Sequence, residues 1–313
     1  MKSQLQIKSG ALVPSPAAFD VAVYAAPTQE EKQEAMRIWN LDVYDVESAL
    51  DPDEIPRIEY TPDRAALIWN RPKNAAVGDQ IRFDVASMGL FLTQGKLIIV
   101  TDEPVLPFSA KEFAGVSSAL DVLLRLLLHT VHHYLGHLRV IKQMTVELSS
   151  KIGASMENKY FLQMFALSES LVYYLNAIEA NGAVLAKLRA NAQRLALPPQ
   201  QVEFLHDLIL DNQQCARQAQ IHSSVLAGLM DARGTIINNN VNVLLKNLTL
   251  INVVFLPLTL IASIGGMSEF TMMTKDIDWR VSYSVLSLGM VLLGWFTWAV
   301  LVRILDKREP RRR

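Results

Sequence analysis

The chain has 313 residues, half of them apolar, with a formal net charge of −1 and one cysteine. A charge near zero gives no sign of a nucleic-acid partner, and the lone Cys215 excludes a disulfide framework within the chain. This composition indicates a soluble body joined to a small membrane portion, because a pure membrane bundle would be more apolar. The first eight residues lack the apolar segment of a cleavable signal.

Residues 1–107 have the short hydrophobic periodicity of strands, divided by prolines that disfavour helix. The pair Gln94 and Gly95 lies between two apolar runs, which is typical of a β-hairpin. Two helical stretches, residues 29–39 and 43–50, accompany the strands. The pattern therefore predicts a cytosolic α/β domain. Its predicted strands cover residues 19–25, 57–60, 65–69, 81–87, 90–93 and 97–101.

Residues 108–199 differ in character, because apolar residues recur there at helical spacing with hardly any proline. The spacing predicts two long helices, over residues 112–152 and 156–197. Because they follow each other closely in the chain, we expect them to pack antiparallel.

A third helix is predicted to begin at Pro198 and Pro199, since proline is favoured in the first turn of a helix. No stop signal follows before Pro257, so residues 200–268 are predicted to form a stalk that continues into a membrane span. A helix of roughly 65 residues would be ~100 Å long, too long for the core of a monomer.

Two apolar stretches near the C-terminus, residues 238–268 and 281–303, are long enough to cross a bilayer. The connection between them, residues 265–280, is weakly acidic and is predicted to lie outside the cell. Residues 304–313 form a basic tail, which the positive-inside rule keeps in the cytosol. Both termini are therefore predicted to be cytosolic.

Polar residues recur every seven positions along the first span, as in the a and d rows of a heptad. Unpaired polar groups at membrane depth are costly, so such a row should face protein or water rather than lipid. One helix cannot enclose water, which predicts a ring-like homo-oligomer. A packing interface with Asn and Thr as interhelical contacts is the alternative. We call these residues the pore stripe: Asn242, Thr249, Leu256 and Ser263 in one row, and Leu245, Asn252 and Thr259 in the other.

The first long helix contains the sequence L-L-H-T-V-H-H-Y-L-G-H, which includes His129, His132 and His133. His129, His133 and His137 share one helical face, and an i, i+4 pair of imidazoles can chelate a borderline metal such as Zn²⁺. The alternative is that these side chains are simply solvated, because no cysteine or acid lies between them.

A catalytic zinc is a further alternative for the histidines, but the Glu of an H-E-x-x-H motif is missing. Without a general base, a phosphate-binding loop or a serine nucleophile motif, the sequence predicts no enzyme. A nonconducting membrane scaffold that senses metal also remains open.

The C-terminal region resembles the CorA-type divalent-cation channels, whose signature ends in Gly-Met-Asn. The resemblance lies in Gly266, Met267 and Ser268, which follow a Pro-Leu-Thr span and precede a loop, a second span and a basic tail. The stretch 45–59 resembles the family's α/β domain, and F-L-T-Q-G-K-L-I-I-V resembles its last hairpin. Residues 239–249 followed by Pro-Leu-Thr are the more specific match to the family, and the chain resembles its CmaX-type branch.

The resemblance implies an α+β membrane protein: an N-terminal α/β domain, a long helical stalk and two C-terminal transmembrane helices, assembled as a funnel-shaped homopentamer in the lipid bilayer. It implies passage of largely hydrated divalent cations, with no cofactor besides a transported or regulatory cation. By matching positions, the resemblance implies that the pore is lined by the polar residues Asn242, Thr249, Thr259 and Ser268. It implies that Leu245 and Leu256 form the constrictions of the pore. Asp207 and Asp231 match acids that bind regulatory metal or line the funnel in the family.

Two departures from the family bear on the choice of metal. Ser268 replaces the family's Asn and removes an amide oxygen at the entrance. His129, His132 and His133 stand where many relatives carry Asp, and imidazole suits Zn²⁺ better than Mg²⁺. These departures favour Zn²⁺ slightly over Mg²⁺, Co²⁺ and Ni²⁺. The sequence assigns no partner ligand to Asp207.

Overall fold

The structure, a computed structural model, divides into two compact units, Met1–Met230 and Asp231–Arg313, here called the N-terminal and C-terminal units. The end of the predicted basic tail, residues 309–313, lies outside the described residues. The described residues are 1–15, 18–74, 76–77, 81–103, 108–154 and 158–308.

The N-terminal unit contains a seven-stranded sheet and a two-stranded ribbon. The sheet is formed by β1 (Lys2–Lys8), β2 (Ala11–Pro14), β3 (Val21–Ala25), β4 (Arg57–Tyr60), β5 (Arg64–Pro72), β8 (Val85–Thr93) and β9 (Lys96–Thr101), and the ribbon by β6 (Ala76–Val77) and β7 (Ile81–Arg82). The strand order in the sheet is β2-β1-β3-β9-β8-β5-β4. The pairing of β3 with β9 is parallel and all other pairings are antiparallel.

The predicted hairpin at Gln94 and Gly95 is confirmed. Thr93 pairs with Lys96 across the turn, and Gln94 and Gly95 have φ values of 50° and 74°. Positive φ at both central residues gives the turn a twist that matches the strands. The predicted strand 81–87 is instead divided between β7 and β8, and β1 and β2 precede the first predicted strand.

Helices cover both faces of the sheet, and the period-two alternation of its strands explains why. In β3, Val21 and Val23 point into one buried cluster, whereas Ala22 and Tyr24 point into another. Residues of α1 (Gln29–Trp39) and α2 (Val43–Ser48) complete the second cluster. The first, larger cluster contains residues of three long helices: α3 (Ala119–Ala154), α4 (Asn158–Ala190) and α5 (Pro199–Gly265).

The long helices are shorter at some ends than their periodicity predicts. Helix α3 begins at Ala119 rather than at residue 112, because Ser118 accepts a hydrogen bond from the backbone N–H of Asp121 and so caps the helix. Lys111–Phe113 forms a separate 3-10 turn. Helix α4 ends at Ala190 rather than at residue 197, and the Asn191 side chain donates to a carbonyl of the last turn.

Side-chain amides attach α4 to the strands. Asn181 accepts from the backbone N–H of Asn70 at 3.1 Å and donates to the carbonyl of Asn70 at 2.7 Å. Gln163 makes the same pair of bonds with the N–H and carbonyl of Ile81, both at 2.9 Å. These amides complete backbone groups that the sheet leaves unpaired, and so fix where α4 lies.

The C-terminal unit contains the rest of α5, the short helix α6 (Ser268–Met273) and α7 (Trp279–Arg308). Helices α5 and α7 each contain an apolar stretch that is long enough to cross a membrane. The predicted stalk 200–268 ends at Gly265, the predicted loop 265–280 contains α6, and the second span begins at Trp279 rather than at residue 281.

A glycine allows α5 and α7 to approach closely. A Cβ atom on Gly265 would lie 2.5 Å from Cδ2 of Leu286, closer than two carbons can come. The two helices of the C-terminal unit are therefore in direct contact at the end of α5.

Candidate ion pathway and metal sites

Most of the pore stripe lies on the side of α5 that faces away from α7, whereas Thr259 borders a groove that α7 also lines. Val254, Leu258, Ile261 and Gly265 are half-buried or buried and mark the side packed on α7. Leu256 follows Val254 by two residues and therefore lies about 200° around the helix. All seven stripe residues are exposed: Asn242, Leu245, Thr249, Asn252, Leu256, Thr259 and Ser263.

The hydroxyl groups of the two stripe threonines donate to carbonyls of their own helix, so that their oxygens can act as acceptors. Thr249 donates its hydroxyl proton to the carbonyl of Leu245 at 2.8 Å, and Thr259 donates to the carbonyl of Phe255 at 2.9 Å. Because each proton is used within the helix, the oxygen presents its lone pairs outward. Waters around a cation direct their hydrogens away from the metal, so these oxygens suit a hydrated ion.

The stripe also carries two exposed leucines, and a proline of α5 lies next to one of them. Leu245 is 54 % exposed and Leu256 is 67 % exposed. Helix α5 continues through Pro257, which has no N–H, so the carbonyl of Val253 lacks its usual intrahelical donor. The stripe therefore places two leucines among five polar residues.

Gly266, Met267 and Ser268, here called the entrance motif, lie where α5 ends and α6 begins. All three are exposed. The Ser268 hydroxyl donates to the carboxylate of Glu269 at 3.2 Å. The sequence analysis counted Glu269 only within the weakly acidic connection 265–280, although its position next to Ser268 could have indicated a role at the entrance.

The histidines divide into two groups, and Glu112 joins the first. Its carboxylate lies 3.2 Å from Nδ1 of His132 and 3.6 Å from Nδ1 of His129. The histidine spacing did not predict this acid, because Glu112 lies in the 3-10 turn before α3 and not between the histidines. In the described part of the chain, no three His, Cys, Asp or Glu residues form a group that could hold a metal ion.

The second group is a cluster of packed rings. The rings of His133 and His137 lie 4.4 Å apart, and Nδ1 of His137 lies 2.6 Å from the hydroxyl of Tyr174. Burial, reinforced by the charges of His137, His129 and Arg71, lowers the pKa of His133 to about 4. His133 is therefore neutral at physiological pH and is packed against another ring.

The two acids predicted to bind regulatory metal lie on α5. Asp207 is exposed in the N-terminal unit and Asp231 is exposed at the start of the C-terminal unit. The hydroxyl of Thr235 donates to the backbone carbonyl of Asp231 at 3.1 Å, so the carboxylate is not used in that bond.

Comparison with known families accounts for this arrangement. The profile of the CorA-like Mg²⁺ transporter protein family matches residues 22–308, which include the sheet except for β1, β2 and the first residue of β3, the long helices and the entrance motif. The chain belongs to the CorA-like family.

Individual relatives agree with the CorA-like assignment. The cobalt/magnesium transport protein CorA of Methanocaldococcus jannaschii is 23% identical over 251 residues, covering 77% of each chain. The complete structure of the CorA magnesium transporter from that organism superposes with a TM-score of 0.79 at 19% identity, covering 97% of this chain and 98% of the other. The structure of the full-length CmaX protein superposes with a TM-score of 0.72 at 14% identity, covering 97% of each.

The comparisons confirm the predicted resemblance and fold: an N-terminal α/β domain, a long helix and two C-terminal apolar helices. A CorA-like chain is a membrane transporter of divalent cations, so the zinc-enzyme alternative is excluded. The roles of the individual stripe, histidine and acid residues stay predictions.

Proposed function

We propose that this CorA-like chain forms a homopentameric pore that passes largely hydrated divalent cations. The observation that carries the proposal is the exposed polar stripe on the face of α5 opposite α7. One copy leaves this face open, and several copies around an axis would enclose a water path. The outward face of α7 would then contact lipid as an outer ring.

In the proposed pore, the polar oxygens act on the water shell of the ion rather than on the metal. Thr249 and Thr259 accept from metal-bound water because their own protons are held by the helix. Asn242 and Asn252 offer amide oxygens in the same way. At the entrance, the carboxylate of Glu269 beside Ser268 attracts cations.

Leu245 and Leu256 form the proposed gates. A narrow ring of apolar side chains stops ions by excluding water, and these are the two leucines of the stripe. Leu256 lies within the apolar stretch 238–268 and is our choice for the tighter ring.

For the metal, we propose Zn²⁺ as a transported ion, slightly favoured over Mg²⁺, Co²⁺ and Ni²⁺. The support is Ser268, which lacks the amide of the Gly-Met-Asn signature, and the imidazoles of His129 and His132. The packing of the His133 ring against His137 reduces that support. The relative in Methanocaldococcus jannaschii is a cobalt/magnesium transport protein, so Mg²⁺ and Co²⁺ belong in any test.

We further propose that α5 and α7 cross a bacterial inner membrane with both termini in the cytosol. The support is the apolar stretch in each of α5 and α7, together with the basic residues after the second span. The segment with the entrance motif and α6 would then face the outside, where ions arrive.

The test is cation uptake by the full chain in liposomes, with Mg²⁺, Zn²⁺, Co²⁺ and Ni²⁺ supplied separately. We expect metal-dependent flux, and Leu256→Ala should raise it several-fold because the apolar ring widens. Leu288→Ala removes an equally exposed leucine from α7 and should leave flux unchanged. Absence of wild-type flux would favour the nonconducting scaffold. A loss of flux in folded Leu256→Ala would show that the gate is not at Leu256.

A further inference from the structure

Tyr283 of α7 contacts the chain on both sides of the entrance motif. Its hydroxyl donates to the carbonyl of Gly265, directly before the motif, at 3.2 Å. Its ring packs edge-on against Phe270, two residues after the motif, with centroids 6.0 Å apart and an interplanar angle of 73°. We propose that Tyr283 is a positioning residue that holds the entrance motif in the geometry that receives the hydrated cation.

The first contact completes the end of the pore-lining helix. The last carbonyls of a helix have no intrahelical partner and need other donors. The backbone N–H of Gly266 donates to the carbonyl of Ala262, and the N–H of Met267 donates to the carbonyl of Ile264, at 3.1 Å each. The carbonyl of Gly265 instead takes the Tyr283 hydroxyl, so a side chain from α7 fixes the direction in which the chain leaves α5.

The second contact fixes where α6 begins. Phe270 lies in the first turn of α6, and an edge-to-face aromatic pair is favourable beyond the area that it buries. Since one tyrosine holds the residues before and after the motif, the three motif residues span two fixed points. Ser268, whose hydroxyl contacts Glu269, is placed by this span.

The close approach of α7 makes the hydroxyl contact possible. Leu286 lies about one turn along α7 from Tyr283 and packs directly on Gly265, where a Cβ would come within 2.5 Å of its Cδ2. A side chain at position 265 would have to displace Leu286, either by changing its rotamer or by moving α7, and movement of α7 would lengthen the Tyr283 hydrogen bond. Gly265 and Tyr283 therefore act as a pair.

This inference rests on the proposed function, because it assigns the entrance motif the task of loading the ion. A loosened motif should bind the arriving ion less well while leaving the gate at Leu256 unchanged. The expected signature is a raised half-saturating metal concentration with a nearly unchanged maximal rate.

The experiment compares Tyr283→Phe with the wild type in liposomes, using Mg²⁺ and Zn²⁺ separately. The substitution keeps the ring against Phe270 and removes only the hydroxyl, so we expect the half-saturating concentration to rise roughly fivefold, the usual effect of losing one hydrogen bond. Thr297→Val is the matched control, since the Thr297 hydroxyl bonds only to carbonyls of its own helix. It should leave the half-saturating concentration unchanged.

A second pair of variants tests the same geometry from the other helix. Gly265→Ala should raise the half-saturating concentration, and adding Leu286→Ala should reverse most of that rise by making room for the new methyl group. Hydrogen exchange of residues 265–273 provides a readout independent of flux, and we expect faster exchange in Tyr283→Phe.

The outcomes separate the two proposals. If the wild type conducts and Tyr283→Phe has the same half-saturating concentration, the positioning role is overturned, whatever hydrogen exchange shows. No wild-type flux with any metal would refute the proposed function and the loading role with it. Equal exchange in both proteins would show that Tyr283 does not hold the segment at all.

Discussion

At the scale of single residues, burial decides the chemistry of the histidines more than their spacing does. His133 and His137 pack ring against ring beside Tyr174. Burial lowers the pKa of both imidazoles, because a charged ring loses more hydration than a neutral one. In the N-terminal unit both rings are packed, and Nδ1 of His137 lies within hydrogen-bonding distance of the Tyr174 hydroxyl.

The lowered pKa of His133 predicts a loss of stability in acid. The unfolded chain takes up the proton near the ordinary pKa of 6.5 and the folded chain only near 4, so stability is full above pH 6.5 and falls between pH 6.5 and about 4. The loss should be on the order of 2 kcal/mol, once the remaining exposure of the ring is allowed for. Thermal unfolding of the full chain in detergent at pH 7.5 and 5 measures it.

The variant His133→Phe keeps a ring in the cluster and removes the titration, so its melting temperature should fall less on acidification. His206→Phe, at an exposed position of α5, is the control and should keep the wild-type pH dependence. Equal pH dependence in all three proteins would remove His133 from the acid response.

At the scale of elements, α4 is held to the strands by hydrogen bonds that link distant parts of the sequence. Asn181 is 1% exposed and satisfies both backbone groups of Asn70. Such a bidentate amide has one geometry, so it fixes the position of α4 along its axis. Apolar packing alone is less directional.

Asn181→Ala should destabilise the N-terminal unit by about 3 kcal/mol, because it leaves a buried N–H and a buried carbonyl of Asn70 unpaired. For a unit of this size, the melting temperature should fall by about 6–12 °C. Asn176→Ala, at an exposed position of the same helix, should change it by less than about 2 °C. Similar melting temperatures for both variants would show that the amide pair contributes little.

At the scale of the whole molecule, the two apolar helices of the C-terminal unit leave a polar stripe open that a single chain does not close. We expect the detergent-extracted protein to be a pentamer by light scattering, because only several stripes around an axis enclose water. A monomeric mass under conditions that preserve wild-type folding would refute the pore.

Assembly also predicts a role for the exposed acids of α5. Copies of Asp207 around an axis would concentrate divalent cations, and a metal bridging subunits would stabilise one state by its differential affinity. Mg²⁺ or Zn²⁺ should therefore slow limited proteolysis of the wild type, and Asp207→Ala should weaken that protection. Glu179→Ala, at an exposed position of α4, is the control. Equal protection of Asp207→Ala and wild type would exclude Asp207 from regulation.

The sequence by itself determined the class of molecule and the order of its parts. The apolar spans, the sevenfold row of polar residues and the hairpin at Gln94 and Gly95 are local patterns, so they can be read along one dimension. The family motif at Gly266, Met267 and Ser268 is local as well. Helix ends were predicted less well, because caps such as Ser118 depend on single hydrogen bonds that periodicity does not record.

The tertiary structure decided which side chains meet across long stretches of sequence. It brought Glu112 to His129 and His132, joined Asn181 to Asn70, and placed Tyr283 on Gly265. It also turned the polar stripe of α5 away from α7. None of these follows from spacing, because the rotation of a helix about its axis and the partner of a buried polar group are set by packing against elements elsewhere in the chain.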